Sequence, residues 1–430
     1  MQNGRSLRWA GVFTLLVIVA ISYVDRINIS ILITDPGFLA HVGLSPQDRT
    51  RQGLLATAFM VGYGVSAFVF TPFCAALFGV RRSLMYGLAL WGVVTFLSPL
   101  LHSYGLLLAS RILLGVSEGP LFALAAGYIK AHFDSRENGK PNSLVNMGTG
   151  LGLALGYPFV GFLVGSYDWE TSFHVLGLLN LALGIPLVLA FVHMPQPESG
   201  LPRPRSLAEA VEQVGKIVRG ALHTRYLLLV TVLTAAFLAY LWGSSNWLPA
   251  YLKEARGFSL REMGWLAALP QYATMLAVLL GGVLIDRVAR RHVPLVFVAG
   301  SLGVAAAVWL AVHVEDRYAA AYCLIAANFF WGLMSPAIPS TVQHFARPEH
   351  TASAYGVVNG AGSLVAGFMP ALMGAVIGWT SGSQGGGFLA GFSLLVGSQL
   401  VVLACGGLLW WHERRPAAPR QSAPQHAVRR

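Results

Sequence analysis

The sequence predicts an all-α integral membrane protein with twelve transmembrane helices in two six-helix halves related by a parallel repeat. Three observations carry this expectation. Hydrophobic residues make up 55% of the 430-residue chain and charged residues 11%, whereas a soluble domain carries about 25% charged residues. Apolar runs of about 20 residues, the length that crosses a bilayer, recur from one end of the chain to the other. Patterns in the first half return in the second at a nearly constant spacing.

The runs lie near 9–33, 52–78, 83–101, 104–130, 141–166, 171–193, 226–252, 260–285, 293–312, 318–345, 353–379 and 386–411, numbered here as spans 1 to 12. Span 1 follows Arg5 and Arg8 as a signal sequence would, but it is longer than an h-region and has no A-x-A site, so it reads as an uncleaved helix. The only long polar interior segment, 194–224, divides the spans six and six. In it Leu207, Val211, Val214, Val218 and Leu222 recur at helical spacing opposite Glu209, Glu212, Lys216 and Arg219. The segment reads either as an amphipathic helix on the membrane surface or as a solvated linker. The expected organisation is a first half over 1–193, a cytoplasmic linker over 194–224, a second half over 225–411 and a basic, Pro-rich tail over 412–430.

The halves echo one another in the same direction. GLSPQD at 43–48 and GFSLRE at 257–262 each predict a helix start with a capping box, Ser45 with Asp48 and Ser259 with Glu262. PFVGFLVG at 158–165 returns as PALMGAVIG at 370–378. His132-Phe133 closes span 4 as His344-Phe345 closes span 10. The offsets are 212 to 214 residues. Such repeats mark secondary transporters, whose site forms near the midplane where the halves meet.

Several chemistries are not expected. Cys74, Cys323 and Cys405 lie in apolar runs without C-x-x-C or H-E-x-x-H spacing, so neither a disulfide framework nor a metal site is implied. No phosphate-binding G-x-x-x-x-G-K-[ST] occurs. No cofactor and no enzymatic role are expected. The formal net charge of +11 sorts by location: with the N-terminus inside, most Lys and Arg fall on cytoplasmic segments, which fits the positive-inside rule rather than nucleic-acid binding. Both termini are then cytoplasmic.

Four ionisable residues lie deep in the apolar runs: Asp25 and Arg26 in span 1, Arg111 and Glu118 in span 4. An ionised group there costs roughly 2.5 to 3.5 kcal/mol even on lenient scales, so each needs a reason. At 1.5 Å per residue Asp25 lies about 12 Å below the outer end of span 1, and Arg111 about 10 Å below the start of span 4, which makes them level. Glu118 is about 10 Å deeper on nearly the same face, and Arg26 points roughly 100° away from Asp25, towards a presumed cavity. These charges either lock spans 1 and 4 together or do chemistry. A guanidinium suits bidentate capture of a carboxylate. Removal from water favours the neutral form of a carboxylic acid, the property a proton carrier needs.

Two sets of residues carry a resemblance to a known family. GGVLIDRVARR at 281–291 resembles the loop motif of the major facilitator superfamily. The equivalent turn, PFCAALFGVRR at 72–82, has Pro72, Ala76 and Leu77 where that motif has Gly, Asp and Arg. The resemblance implies that Gly282, Asp286, Arg287, Arg290 and Arg291, with Arg81 and Arg82, take part in gating. SYVDRINIS at 22–30 and RILLGVSEGPLF at 111–122 resemble the signatures of its anion:cation symporter family, which takes up organic anions with protons. The resemblance implies that Arg26 and Tyr23 bind a substrate carboxylate, that Glu118 couples a proton, and that Asp25 with Arg111 forms a second titrating pair. Tyr63 would face the substrate. Phe122 is followed by ALAAG, and Thr149 stands where sugar-acid carriers place Gln, which points to a less polar or aromatic carboxylate.

Span 7 to span 12 carry no deep charge but offer Asn246, Trp247, Tyr251, Gln271, Tyr272, Asn328, Trp331 and Asn359, either as neutral partners for an amphipathic anion or as packing and interhelical hydrogen bonds. Gly148, Gly152 and Gly156, with Gly115 and Gly119, are spaced for close helix approach. The expected function is proton-coupled import of an organic anion by a monomer in a bacterial inner membrane, its partners being the anion, the proton and the bilayer. The competing readings are an exporter of drugs or siderophores in the same fold, and a sensor on a transporter scaffold.

Overall fold

The computed structural model describes residues 2–414 except 75–77, 134–138, 195–205, scattered positions within 207–223, 347–350 and 381–385. The linker expected over 194–224 and the tail from residue 415 therefore fall largely or wholly outside the described residues. The described residues form helices and no strand: α1 (Gln2–Leu32), α2 (Pro36–His41), α3 (Arg49–Phe73), α4 (Gly79–Leu97), α5 (Tyr104–Glu118), α6 (Leu121–His132), α7 (Gly139–Ser166), α8 (Trp169–Leu178), α9 (Ile185–Phe191), α10 (Leu227–Ala250), α11 (Leu260–Arg287), α12 (Val293–His313), α13 (Arg317–Met334), α14 (Ala337–Phe345), α15 (Thr351–Ala366), α16 (Met369–Thr380) and α17 (Gly386–Arg414). Eleven stretches among the described residues are long and apolar enough to cross a membrane. Span 2, α3, is not one of them, but its 25 residues reach about 38 Å at 1.5 Å each, more than a bilayer core of about 30 Å.

The terminal side is the face bearing the start of α1 and the end of α17; the opposite face is the far side. Helix starts on the far side are fixed by short polar side chains, because the first turn of a helix has free N–H groups. Asp48, Ser103, Asp168 and Asp316 accept from the backbone N–H three residues on, at Arg51, Leu106, Thr171 and Ala319. The Thr171 hydroxyl and, after it, the Thr171 N–H hold the Asp168 carboxyl below the usual range. Ser259 and Glu262 form the expected capping box. The other expected box is not formed: Ser45 contacts Gln47, and Asp48 takes the cap. The helix therefore starts three residues later than Ser45 would set it.

Proline places the internal breaks. Span 4 divides at Gly119-Pro120 and span 10 at Ser335-Pro336. Pro120 has no N–H for the carbonyl of Val116, and Ser66 on α3 donates to that oxygen at 2.6 Å. Pro249 likewise frees the carbonyl of Ser245, which accepts from the Tyr157 hydroxyl of α7 at 2.8 Å. In hydrocarbon each freed carbonyl needs such a partner, and both partners tie one helix to another.

Within the first six spans α1 packs on α7 and α3 on α5; within the last six, α11 and α12 pack on α13, and α12 on α17. The close approach of α1 and α7 depends on Gly152, where an added Cβ would come within 2.3 Å of the Ala20 carbonyl. The two sets meet through α7 with α11, α3 with α16 and α1 with α10. On the far side Arg49 forms an ion pair with Glu254, Lys253 donates to the Thr34 carbonyl at 2.7 Å and the Ala371 N–H to Thr57 at 3.3 Å. Every hydrogen bond and ion pair joining described residues of the two sets lies there or towards it. The molecule is latched on its far side.

Candidate substrate site

The four deep charges assemble where α1, α3, α4 and α5 meet, with α10 facing them. Arg26 donates from Nε to Glu118 Oε2 at 3.1 Å, and its Nη2 lies 3.1 Å from the same oxygen, the two side chains being 5% and 0% exposed. Ser22, one turn earlier on α1, donates to Oε2 at 2.5 Å. The break at Gly119-Pro120 makes Glu118 the last residue of α5. A cavity of about 190 Å³ opens beside it, lined by Trp91, Ser117, Leu121 and other residues of α3, α4 and α6.

Four rings surround the guanidinium: Tyr23, Phe59, Tyr63 and Trp242, with centroids 4.4, 5.0, 4.6 and 5.7 Å from its carbon. Tyr23 and Trp242 stack at 6.4 Å. The ring faces attract a cation and exclude water from it. Nη1 and Nη2 nevertheless make no hydrogen bond, and neither do Trp242 Nε1 or Asn246 Nδ2, both of which are buried. Trp242 and Asn246 are four residues apart on α10 and so share one face. Unpaired buried donors are costly.

Asp25 and Arg111 differ from expectation. They form no ion pair; Asp25 Oδ2 accepts from the Trp91 indole and from Thr95 Oγ1, the latter at 2.9 Å. Asp25 Oδ1 and Arg111 Nε have no hydrogen-bond partner. The Arg111 guanidinium lies over Phe59 at 5.1 Å, near enough to act on Asp25 through its charge. Depth along a helix set them level; the neighbouring α4 gave Asp25 better-placed donors. Arg26 also departs from expectation, being closed in by rings and Glu118 rather than open to a cavity.

Among the neutral candidates the structure divides. Trp247 is fully buried and donates to the Pro370 carbonyl at 2.9 Å. Tyr251 donates to the Ala311 carbonyl, Trp331 to the Phe237 carbonyl, and Asn328 to the Tyr240 hydroxyl. These four hold helices together. Thr149 donates back to the Asn146 carbonyl; Gln271 is buried, and Tyr272 and Asn359 are exposed, none with a recorded bond to Arg26 or Glu118. Ser22, Phe59, Trp91, Thr95 and Trp242 escaped the sequence reading. Ser22 and Trp242 carried a usable signal, since Ser22 is one turn from Arg26 and Trp242 one turn from Asn246.

Of the gating residues, Arg81 donates to the Leu189 carbonyl at 2.5 Å and Arg290 to Ser340 Oγ at 3.2 Å. Arg82, Arg287 and Arg291 are exposed, and a side chain at Gly282 would meet nothing within 4 Å. The Asp286 side chain and the 75–77 turn lie outside the described residues.

Comparison with known proteins follows this architecture. The chain is 31% identical over 292 residues to the probable sulfoacetate transporter of Cupriavidus necator, the match covering 65% of each chain, just under two thirds. It is 27% identical over 397 residues to the hexuronate transporter of Bacillus subtilis, covering 89% of this chain and 91% of that one. A bacterial homologue of the human lysosomal transporter Spinster, inward-facing and unoccupied, superposes with a TM-score of 0.74 over 95% of this chain and 97% of its own, at 16% identity. That likeness concerns the fold. The family model of the Major Facilitator Superfamily matches residues 15–370, and the chain is a multi-pass membrane protein belonging to that superfamily.

Proposed function

We propose that the chain imports an organic anion by proton symport with alternating access, with Arg26 as the anchor for the substrate carboxylate and Glu118 as the proton carrier. One observation supports this most: the Arg26 guanidinium, with Nη1 unpaired, shares its aromatic enclosure with Trp242, whose buried indole N–H is also unpaired, as is Asn246 Nδ2 one turn further along α10. A carboxylate would satisfy them together, and a guanidinium edge binds one through two parallel hydrogen bonds. The transport of sulfoacetate and hexuronate named for the relatives points to the same ligand class.

Four rings and no further deep cation in the last six spans favour a carboxylate with an aromatic or weakly polar body. Tyr23 and Tyr63 complete the walls, and Asp25 and Arg111, which are not in direct contact, act as a second titrating pair. A substrate carboxylate at the free edge shares the guanidinium charge with Glu118, and a buried carboxylate whose counter-charge is so shared is compensated by a proton. The far-side latch is one end of the alternation, with the motif at Gly282, Asp286, Arg287, Arg290, Arg291, Arg81 and Arg82 governing the other. The terminal side is cytoplasmic in a bacterial inner membrane, and the working unit is the monomer, in two six-helix halves. Uptake of a carboxylate panel by proteoliposomes, with and without an inward proton gradient, tests the reading. Gradient-driven accumulation of a carboxylate is expected; uptake indifferent to the gradient, or none by any anion, would refute it.

A further inference from the structure

A groove of about 600 Å³ opens on the terminal side between the end of α11, the start of α12 and the end of α13. Leu284, Leu295, Ala299 and Phe330 form its walls, and Arg287 and His292 its rim. Leu284 and Phe330 are 41% and 37% exposed, and both stand on membrane-spanning stretches, so acyl chains rather than water meet them. From Leu295 to Gly300 the groove follows α12 for about 8 Å into the bilayer.

The rim is basic and unsatisfied. Arg287 is exposed and has no hydrogen bond or ion pair with another described residue, and the same is true of Arg291. No carboxylate among the described side chains lines the groove. Among the nearby charges, Arg290 turns to Ser340, and Glu413 is taken by His344 at 3.1 Å. Free cations at a membrane surface attract anionic lipid, and an apolar channel beneath them suits a hydrocarbon tail.

We propose that this groove is a binding site for an anionic phospholipid, its phosphate at Arg287 on the rim, with Arg291 exposed on the same short turn, and one acyl chain against Ala299 and Phe330. A lipid held there would tie α11 to α12 across the short turn that carries the DRVARR sequence. The composition of the membrane would then bias the conformational equilibrium of this half.

The test exposes the purified full-length protein to mixed vesicles of phosphatidylglycerol and phosphatidylcholine, and counts retained lipid by mass spectrometry after purification. Wild-type protein should retain phosphatidylglycerol preferentially. Arg287→Gln should lower that retention about fivefold, the factor for one basic residue at an anionic surface. Ala299→Trp, which fills the groove and keeps both cations, should lower it by a similar factor, and millimolar inorganic phosphate should not displace the lipid. Unchanged retention in both variants would overturn the site. Retention in Ala299→Trp together with displacement by phosphate would overturn it also, making the rim a plain anion site. Thermal transitions in phosphatidylcholine show that each variant is folded; Arg291→Gln and Ala299→Phe replace any that is not. The readout is bound lipid, so it stands or falls apart from transport.

Discussion

Arg26 engages Glu118 along one side: Nε donates to Oε2 at 3.1 Å and Nη2 lies as close to the same oxygen in the ion pair, while Nη1 has no partner. The ion pair thus orients the guanidinium and leaves Nη1 unpaired inside the ring enclosure that includes Trp242. A buried pair of this kind is weak evidence for stability. Its value here lies in presenting a planar, permanently charged edge.

Arg26→Lys is expected to weaken substrate binding nearly as much as Arg26→Ala. An ammonium is a point charge and cannot offer two parallel donors. The loss should be at least about tenfold, as for one charged hydrogen bond of ~1.5–3 kcal/mol. Calorimetric titration of both variants checks this, and near-normal affinity in Arg26→Lys would show that charge alone suffices.

Glu118→Gln is expected to retain counterflow and lose accumulation driven by a proton gradient. The amide imitates the protonated acid and can still accept from Ser22, whose hydroxyl lies 2.5 Å from Oε2. Both assays on the same protein decide it. Retained gradient-driven accumulation would move the coupling role to Asp25, the other deep carboxylate.

Trp91→Phe is expected to destabilise the protein by about 1–3 kcal/mol, the cost of leaving a buried acceptor short of a donor. Asp25 would keep only Thr95 as a direct partner. In a thermal or denaturant series the double variant Trp91→Phe, Asp25→Asn should lose less than the sum of the two single losses. Strict additivity would mean that the indole and the carboxylate do not interact.

Glu254→Gln is expected to loosen the far side modestly. The Arg49 and Glu254 side chains are 12% and 30% exposed, so the pair is screened and worth ~0.2–1 kcal/mol, a shift of at most about fivefold in the open population. Distance distributions between spin labels at Gln47 and Arg261 report it. An unchanged distribution would assign the latch to Lys253 with Thr34 and to helix packing.

Gly152→Val should separate α1 from α7, because its Cβ would sit 2.3 Å from the Ala20 carbonyl and 2.8 Å from Tyr23 Cβ. Overpacking costs about 1–3 kcal/mol, and the shift would reach the Arg26 enclosure through Tyr23. Gly105→Ala, with nothing within 4 Å, should be neutral. Equal thermal midpoints for the two variants would refute a packing role for Gly152.

Some of this architecture is determined by the sequence alone, for a physical reason. Hydrocarbon obliges each crossing segment to satisfy its own backbone, so apolar runs of sufficient length must be helices. Far-side caps such as Ser259 with Glu262, and the unusual presence of Asp25, Arg26, Arg111 and Glu118, are local facts of the same kind. Which deep charges meet is not local. Asp25 found Trp91 and Thr95 instead of Arg111, because α4 lies nearer than depth along α1 and α5 could reveal. Trp247 and Trp242 look alike as residues, yet one is spent on the Pro370 carbonyl and the other stands beside Arg26. Only the rotation of α10 about its own axis, set by packing against α1, α15 and α17, decides between them.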